Sequence, residues 1–63
     1  MQKKYDYLLD IPAVAESLNV SVSTLNRWVR LRIHLPYHKV GGRILFDPQD
    51  IDKFMSSNKV QVS

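Results

Sequence analysis

Val14-Ala15-Glu16-Ser17-Leu18-Asn19-Val20-Ser21-Val22-Ser23-Thr24-Leu25-Asn26-Arg27-Trp28-Val29-Arg30 is the stretch on which the fold turns. Ile11, just before it, joins Val14, Ala15 and Leu18 at i, i+3, i+4 and i+7, the apolar stripe of an amphipathic helix. Asp10 suits the N-cap of that helix and Pro12 is tolerated in its first turn, which predicts a helix over about Ile11 to Leu18. Asn19 then ends it, since Asn is the best non-glycine residue for a left-handed C-terminal cap. Val20 turns back inward. Ser21 is a good N-cap for a second helix, predicted over about Val22 to Leu31. Val22, Leu25 and Val29 share one face of it, with Trp28 beside them.

Working outward, Pro36 closes a connecting segment, and Tyr37 to Val40 and Arg43 to Phe46 flank Gly41-Gly42. A two-glycine loop between short strands signals a hairpin, because both positions can take positive φ. Tyr37 and Phe46 are placed to form a cross-strand aromatic pair. Asp47-Pro48-Gln49-Asp50 opens a third helix, with Asp47 as N-cap, Pro48 at the first helical position and acids at the positive dipole end. Ile51, Phe54 and Met55 supply its apolar face. Residues 1–6 read as an N-terminal arm, with Tyr5 and Tyr7 available to pack back on the domain, and residues 56–63 as a flexible tail. The domain is then 7–55, mainly α with a small β-hairpin, in the order helix, turn, helix, hairpin, helix.

Sixty-three residues allow one domain, and without cysteine it has neither a disulfide nor the four Cys/His ligands of a zinc finger. It must fold on packing alone or with a partner. A catalytic pocket with its supporting residues is hard to fit into such a chain, and no Ser/His/Asp or paired-carboxylate grouping stands out, so no enzyme is expected. His34 and His38 are four apart, but Leu35-Pro36 between them argues against a helix and no carboxylate lies nearby, so neither a metal nor a cofactor is expected. No apolar run approaches the roughly 20 residues that span a bilayer, and Met1-Gln2-Lys3-Lys4-Tyr5-Asp6 lacks the apolar stretch of a signal peptide. A cytoplasmic protein without membrane contact is the expectation.

The net charge of +3 is bland, but its distribution is not. Asp6, Asp10 and Glu16 lie at one end and Asp47, Asp50 and Asp52 at the other, leaving thirty residues from Ser17 to Phe46 without an acid. That window holds Arg27, Arg30, Arg32, Lys39 and Arg43, a formal +5 against −2 on the flanks. Such asymmetry is the footprint of a nucleic-acid binder, or else of a solvated face that keeps the protein soluble.

Residues 14–28 decide between these, because they have the spacing of a DNA-binding helix-turn-helix. Val14, Leu18, Val20, Leu25 and Trp28 take the buried slots, Ala15 is small where two helices meet, and Asn19 occupies the tight turn. With the hairpin behind it, the motif becomes a winged helix-turn-helix. The chain resembles the excisionase and MerR-like small winged-helix DNA-binding proteins. The resemblance rests on Tyr7-Leu8, on Val20 through Arg30, on Leu35-Pro36-Tyr37-His38-Lys39-Val40-Gly41-Gly42-Arg43, and on Asp50-Ile51-Asp52-Lys53-Phe54. It covers about residues 7–55. The chain departs from the pattern at Asn19, where glycine is usual, at Val22 and Leu45, where a basic residue is common, and at Asn26, where an aromatic is common.

In this docking scheme Ser21, Ser23 and Thr24 sit at the positive end of the second helix and hold a phosphate, the alternative being simple capping. Asn26 and Arg27 lie opposite the buried face and reach base edges, Asn for adenine and Arg for guanine. Arg30 contacts the backbone, and Arg32 is left open. Arg43 stands beside the glycine turn, where it enters a narrow minor groove, and Lys39 holds the adjacent phosphate. Trp28 reads as core rather than as a stacking platform.

The resemblance implies a double-stranded-DNA-binding architectural factor of a phage or mobile element, steering a recombinase or integrase towards excision. It would be nucleoid-associated when bound, and would bind beside further copies of itself or a larger partner. A chain this short leaves no room for an effector domain, which favours that role over a ligand-sensing regulator. Two alternatives remain: a small MerR-like transcriptional regulator, and a protein-binding accessory subunit of a mobile-element replication or recombination enzyme. The apolar Val22 and Leu45 motivate the last.

Overall fold

In the computed structural model, which describes residues 4–60, three acid or hydroxyl side chains each open a helix. Asp10 Oδ1 accepts the Ala13 N–H at 3.0 Å and starts α1 (Ile11–Leu18). Ser21 Oγ accepts the Thr24 N–H at 3.1 Å and starts α2 (Val22–Leu31). Asp47 Oδ1 accepts the Gln49 N–H at 2.9 Å and starts α3 (Pro48–Ser57). Each side chain satisfies a backbone donor that the helix itself cannot, worth about 1 kcal/mol. Asn19 closes α1 at φ 59°, ψ 43°, as its type predicts, and the Val20 N–H donates back to the Ala15 carbonyl at 3.0 Å.

The hairpin pairs β2 (His38–Val40) with β3 (Arg43–Phe46) in antiparallel register, Lys39 opposite Ile44 and Val40 opposite Arg43. Tyr37, expected in the first strand, lies just outside it, yet its ring meets Phe46 edge-on at 6.3 Å. Gly41 alone of the two glycines takes a positive φ, 61°, the sign pattern of a II′ rather than a I′ loop.

The sheet has a third member that the sequence pattern does not reveal. Leu9–Asp10 forms β1, which pairs with β3 through Leu9 opposite Phe46 and Asp10 opposite Leu45, giving the order β1-β3-β2. The wing is thus the outer part of a small sheet anchored to the helices.

Phe46, Leu25, Val14, Ala15, Leu35 and Ile51 form the buried core. Leu9, Ile11, Leu18, Val20, Trp28, Val29, Tyr37, Ile44 and Phe54 pack around it. Each element supplies at least one of these side chains except β2, all of whose residues are exposed. Val22 and Met55, expected on apolar faces, are instead 44% and 54% exposed. The reason is size: the core is too small to cover the full width of the α2 stripe or the last turn of α3.

Two further corrections concern the connections. No glycine lies between Leu31 and Val40, but Arg32 (φ 55°) and His34 (φ 73°) adopt left-handed backbone. Arg32 caps α2, its N–H reaching the Trp28 and Val29 carbonyls. The tail expected from residue 56 begins later, because α3 runs through Ser57. Ser57 Oγ donates to the Lys53 carbonyl and Asn58 Nδ2 to the Phe54 carbonyl, both at 2.8 Å. The ends of the expected arm and tail, residues 1–3 and 61–63, lie outside the described residues. The architecture is a winged helix-turn-helix, mainly α with a small antiparallel sheet.

Candidate nucleic-acid interface

Leu25, Trp28 and Val29 turn one side of α2 into the core, so Ser23, Asn26, Arg27 and Arg30 share the exposed side. The expected reading face is therefore a single solvent-facing surface, carrying two guanidinium groups and one amide. At its N-terminal end Ser21 Oγ and Thr24 Oγ1 are 2.8 Å apart, and Ser21 Oγ also takes the Thr24 N–H. These two hydroxyls fix the first turn by bonding to each other, while Ser23 faces solvent beside them. Of the three hydroxyls expected to hold a phosphate, capping thus engages Ser21 and Thr24.

Further exposed cations follow α2 in the chain. Arg32, exposed in the left-handed turn, follows Arg30, and Lys39 and Arg43 are exposed on the wing. Lys39 shares a face with its partner Ile44, and Arg43 with Val40, so alternation along β3 sends the two cations to opposite faces of the ribbon. The tip can approach another molecule closely: a Cβ built at Gly41 or Gly42 meets nothing within 4 Å.

The segment after α2 is held by rings. His34 stacks edge-on against Trp28 at 4.7 Å, and Phe54 lies 5.7 Å from Trp28. Trp28 is half-buried in this cluster, which suits a packing role. The cluster ties the C-terminal end of α2 to α3. Nothing in the sequence spacing marked His34 for this position.

The N-terminal residues meet the outer face of the sheet. Lys4, Tyr5, Asp6 and Leu8 line a concavity with Arg43 and Leu45, and Tyr5, Tyr7 and Leu8 line another with His38, Val40 and Asp47. Leu45, which stands where a cation was anticipated, is therefore half-buried beside Tyr5 and Leu8 rather than free on the surface. Tyr5 remains 59% exposed, so it borders the sheet without being buried in it. Among the described residues no three His, Asp or Glu side chains gather as a metal-binding group, and no helix is long and apolar enough to cross a membrane.

A family model described as a helix-turn-helix domain matches residues 8–59. Neither the curated proteins nor the solved structures gave a match.

Proposed function

The chain belongs to the helix-turn-helix domain family, whose members bind DNA, and from that premise we propose that it is an excisionase-like architectural factor of a phage or mobile element. In this reading α2 enters the major groove of duplex DNA and the β2–β3 wing meets the flanking minor groove. The observation that carries it is the exposure of two cation-bearing features whose residues share one stretch of the sequence. These are the α2 face of Ser23, Asn26, Arg27 and Arg30, and a glycine-tipped wing with Lys39 and Arg43. The whole surface falls within the acid-free window from Ser17 to Phe46.

Arg27 and Asn26 take the base edges, each bidentate contact supplying about 1–3 kcal/mol of discrimination. Ser23, Arg30 and Lys39 take phosphates, with Ser21 and Thr24 holding the helix end that faces them. Arg43 takes the minor groove. A single module of this kind buries about 600–1,000 Å² on DNA. That modest area favours binding beside further copies or a recombinase, with the bend in the DNA as the product.

The accessory-subunit reading loses one of its two supports, because Leu45 has neighbours within its own chain. The transcriptional-regulator reading uses the same groove contacts and differs in outcome.

The test is duplex binding at two salt concentrations by the wild type and by Arg27→Ala. About four to six phosphate contacts give a slope of log K on log salt near about −4 to −5. Arg27→Ala should weaken selected sites about tenfold or more, the weight of a lost bidentate contact. Salt-independent binding, or an Arg27→Ala variant that binds like wild type, sinks the groove-reading model. Circularly permuted duplexes then separate the roles: a bend supports the architectural factor, and binding without a bend supports the regulator. A stoichiometric complex with a polymerase or recombinase in the absence of DNA would support the accessory subunit.

A further inference from the structure

Val22 is the first residue of α2 and is 44% exposed. Val29, on the same apolar stripe, packs on the core, whereas the side chains packed there among the described residues do not include Val22. A β-branched residue gives a helix no advantage in propensity, so neither packing nor local preference explains a valine at this position. It borders the polar edge of α2: Ser21 and Ser23 flank it in the chain and Asn26 follows one turn on.

Its placement suggests what it touches. Residues at the N-terminal end of a reading helix are those that reach base edges. Val22 and Asn26 stand at i and i+4, in line along the helix, so they address adjacent positions in the groove. The major groove offers one apolar feature, the C5-methyl group of thymine. The cap bond from Thr24 N–H to Ser21 Oγ pins the backbone at this turn, and a valine in a helix keeps essentially one χ1 rotamer. Its methyl groups are therefore presented with little freedom left to lose on contact.

We propose that Val22 is a specificity-determining residue that packs on the C5-methyl of a thymine next to the base read by Asn26. The proposal rests on the groove-docked reading of α2 and adds to it a base preference that no hydrogen bond supplies.

Deoxyuridine provides the test, since it differs from thymidine only by that methyl. Duplexes are selected by the wild type from a randomised library, and each thymine of the selected site is replaced in turn by deoxyuridine. One thymine per bound copy should weaken wild-type binding about fourfold when its methyl is removed, the weight of about one buried carbon. Val22→Ser should bind the two duplexes equally, with a thermal midpoint near that of the wild type because the side chain is exposed. Deoxyuridine tolerated at every position, or a methyl effect that survives unchanged in Val22→Ser, overturns the proposal while leaving groove docking intact. Failure of the wild type to bind any duplex in a salt-dependent way overturns the docked reading itself, and the proposal with it.

Discussion

Arg32 and His34 hold left-handed backbone, and the arginine side chain does not favour it. For a residue other than glycine, asparagine or aspartate that conformation costs about 1–2 kcal/mol. At Arg32 the position is the C-cap of α2, where glycine is the usual occupant. Arg32→Gly should therefore stabilise the domain by about 1 kcal/mol, raising the thermal midpoint by about 4–8 °C, while Arg32→Ala keeps the strain and brings no such gain. Both variants lose the same charge, so their DNA affinities should fall together, which separates strain from electrostatics. The same substitution at His34 would remove the ring that meets both Trp28 and Phe54, offsetting the relief. The contrast with Asn19 shows what a sequence makes legible at this scale. Asn19 declares a left-handed turn by its type, and the structure has one there. Arg32 does not declare its turn by type: its N–H meets the Trp28 and Val29 carbonyls, and the His34 ring is held by rings that only the fold brings together.

The elements were legible where their ends carry capping chemistry. Asp10, Ser21 and Asp47 mark the three helix starts, and Gly41-Gly42 marks the wing. β1 was not, since two residues, Leu9 and Asp10, show no alternation, and they become a strand only by pairing with β3. The exposed Val22 and Met55 mark the limit of periodicity as a guide: it identifies a stripe but not how far the core reaches along it. The same logic governs the reading face. Its residue types and its side of α2 follow from spacing, whereas the bond between the Ser21 and Thr24 hydroxyls depends on rotamers that spacing does not set. Within the wing the two glycines should respond differently to alanine. Gly41 has φ 61° and open space around it, so Gly41→Ala meets backbone strain alone and should destabilise by about 1 kcal/mol. Gly42→Ala, with equal room and no positive φ, should be neutral or stabilise by up to about 1 kcal/mol through the unfolded chain. Thermal unfolding of the pair distinguishes the two, and equal midpoints would show that the loop does not need its left-handed residue.

Over the whole molecule, few buried side chains carry the fold, and Phe46 is among the largest of them. It lies at the end of β3, meets Tyr37, and pairs with Leu9. Phe46→Ala should cost about 3–5 kcal/mol. A domain of this size sits near the lower end of the usual stability range, about 5 kcal/mol, so circular dichroism should show a strongly lowered thermal midpoint and up to about half the chains unfolded near room temperature. A folded variant with an unchanged midpoint would mean that the sheet does not close the core. The pairing of β1 with β3 has a consequence for the order in which the protein can come into being. Leu9 and Asp10 are made before either helix of the reading unit, yet their partners Phe46 and Leu45 come after both. Asp10 also caps α1, so the first helix and the wing share one joint. A growing chain can coil α1 and α2 early, but β1 has no strand partner until β3 has emerged. Contacts of such long sequence separation are late and cooperative. The proposed DNA-facing surface is thus completed late, and a nascent or truncated chain lacking β3 would carry α2 without the sheet it folds beside.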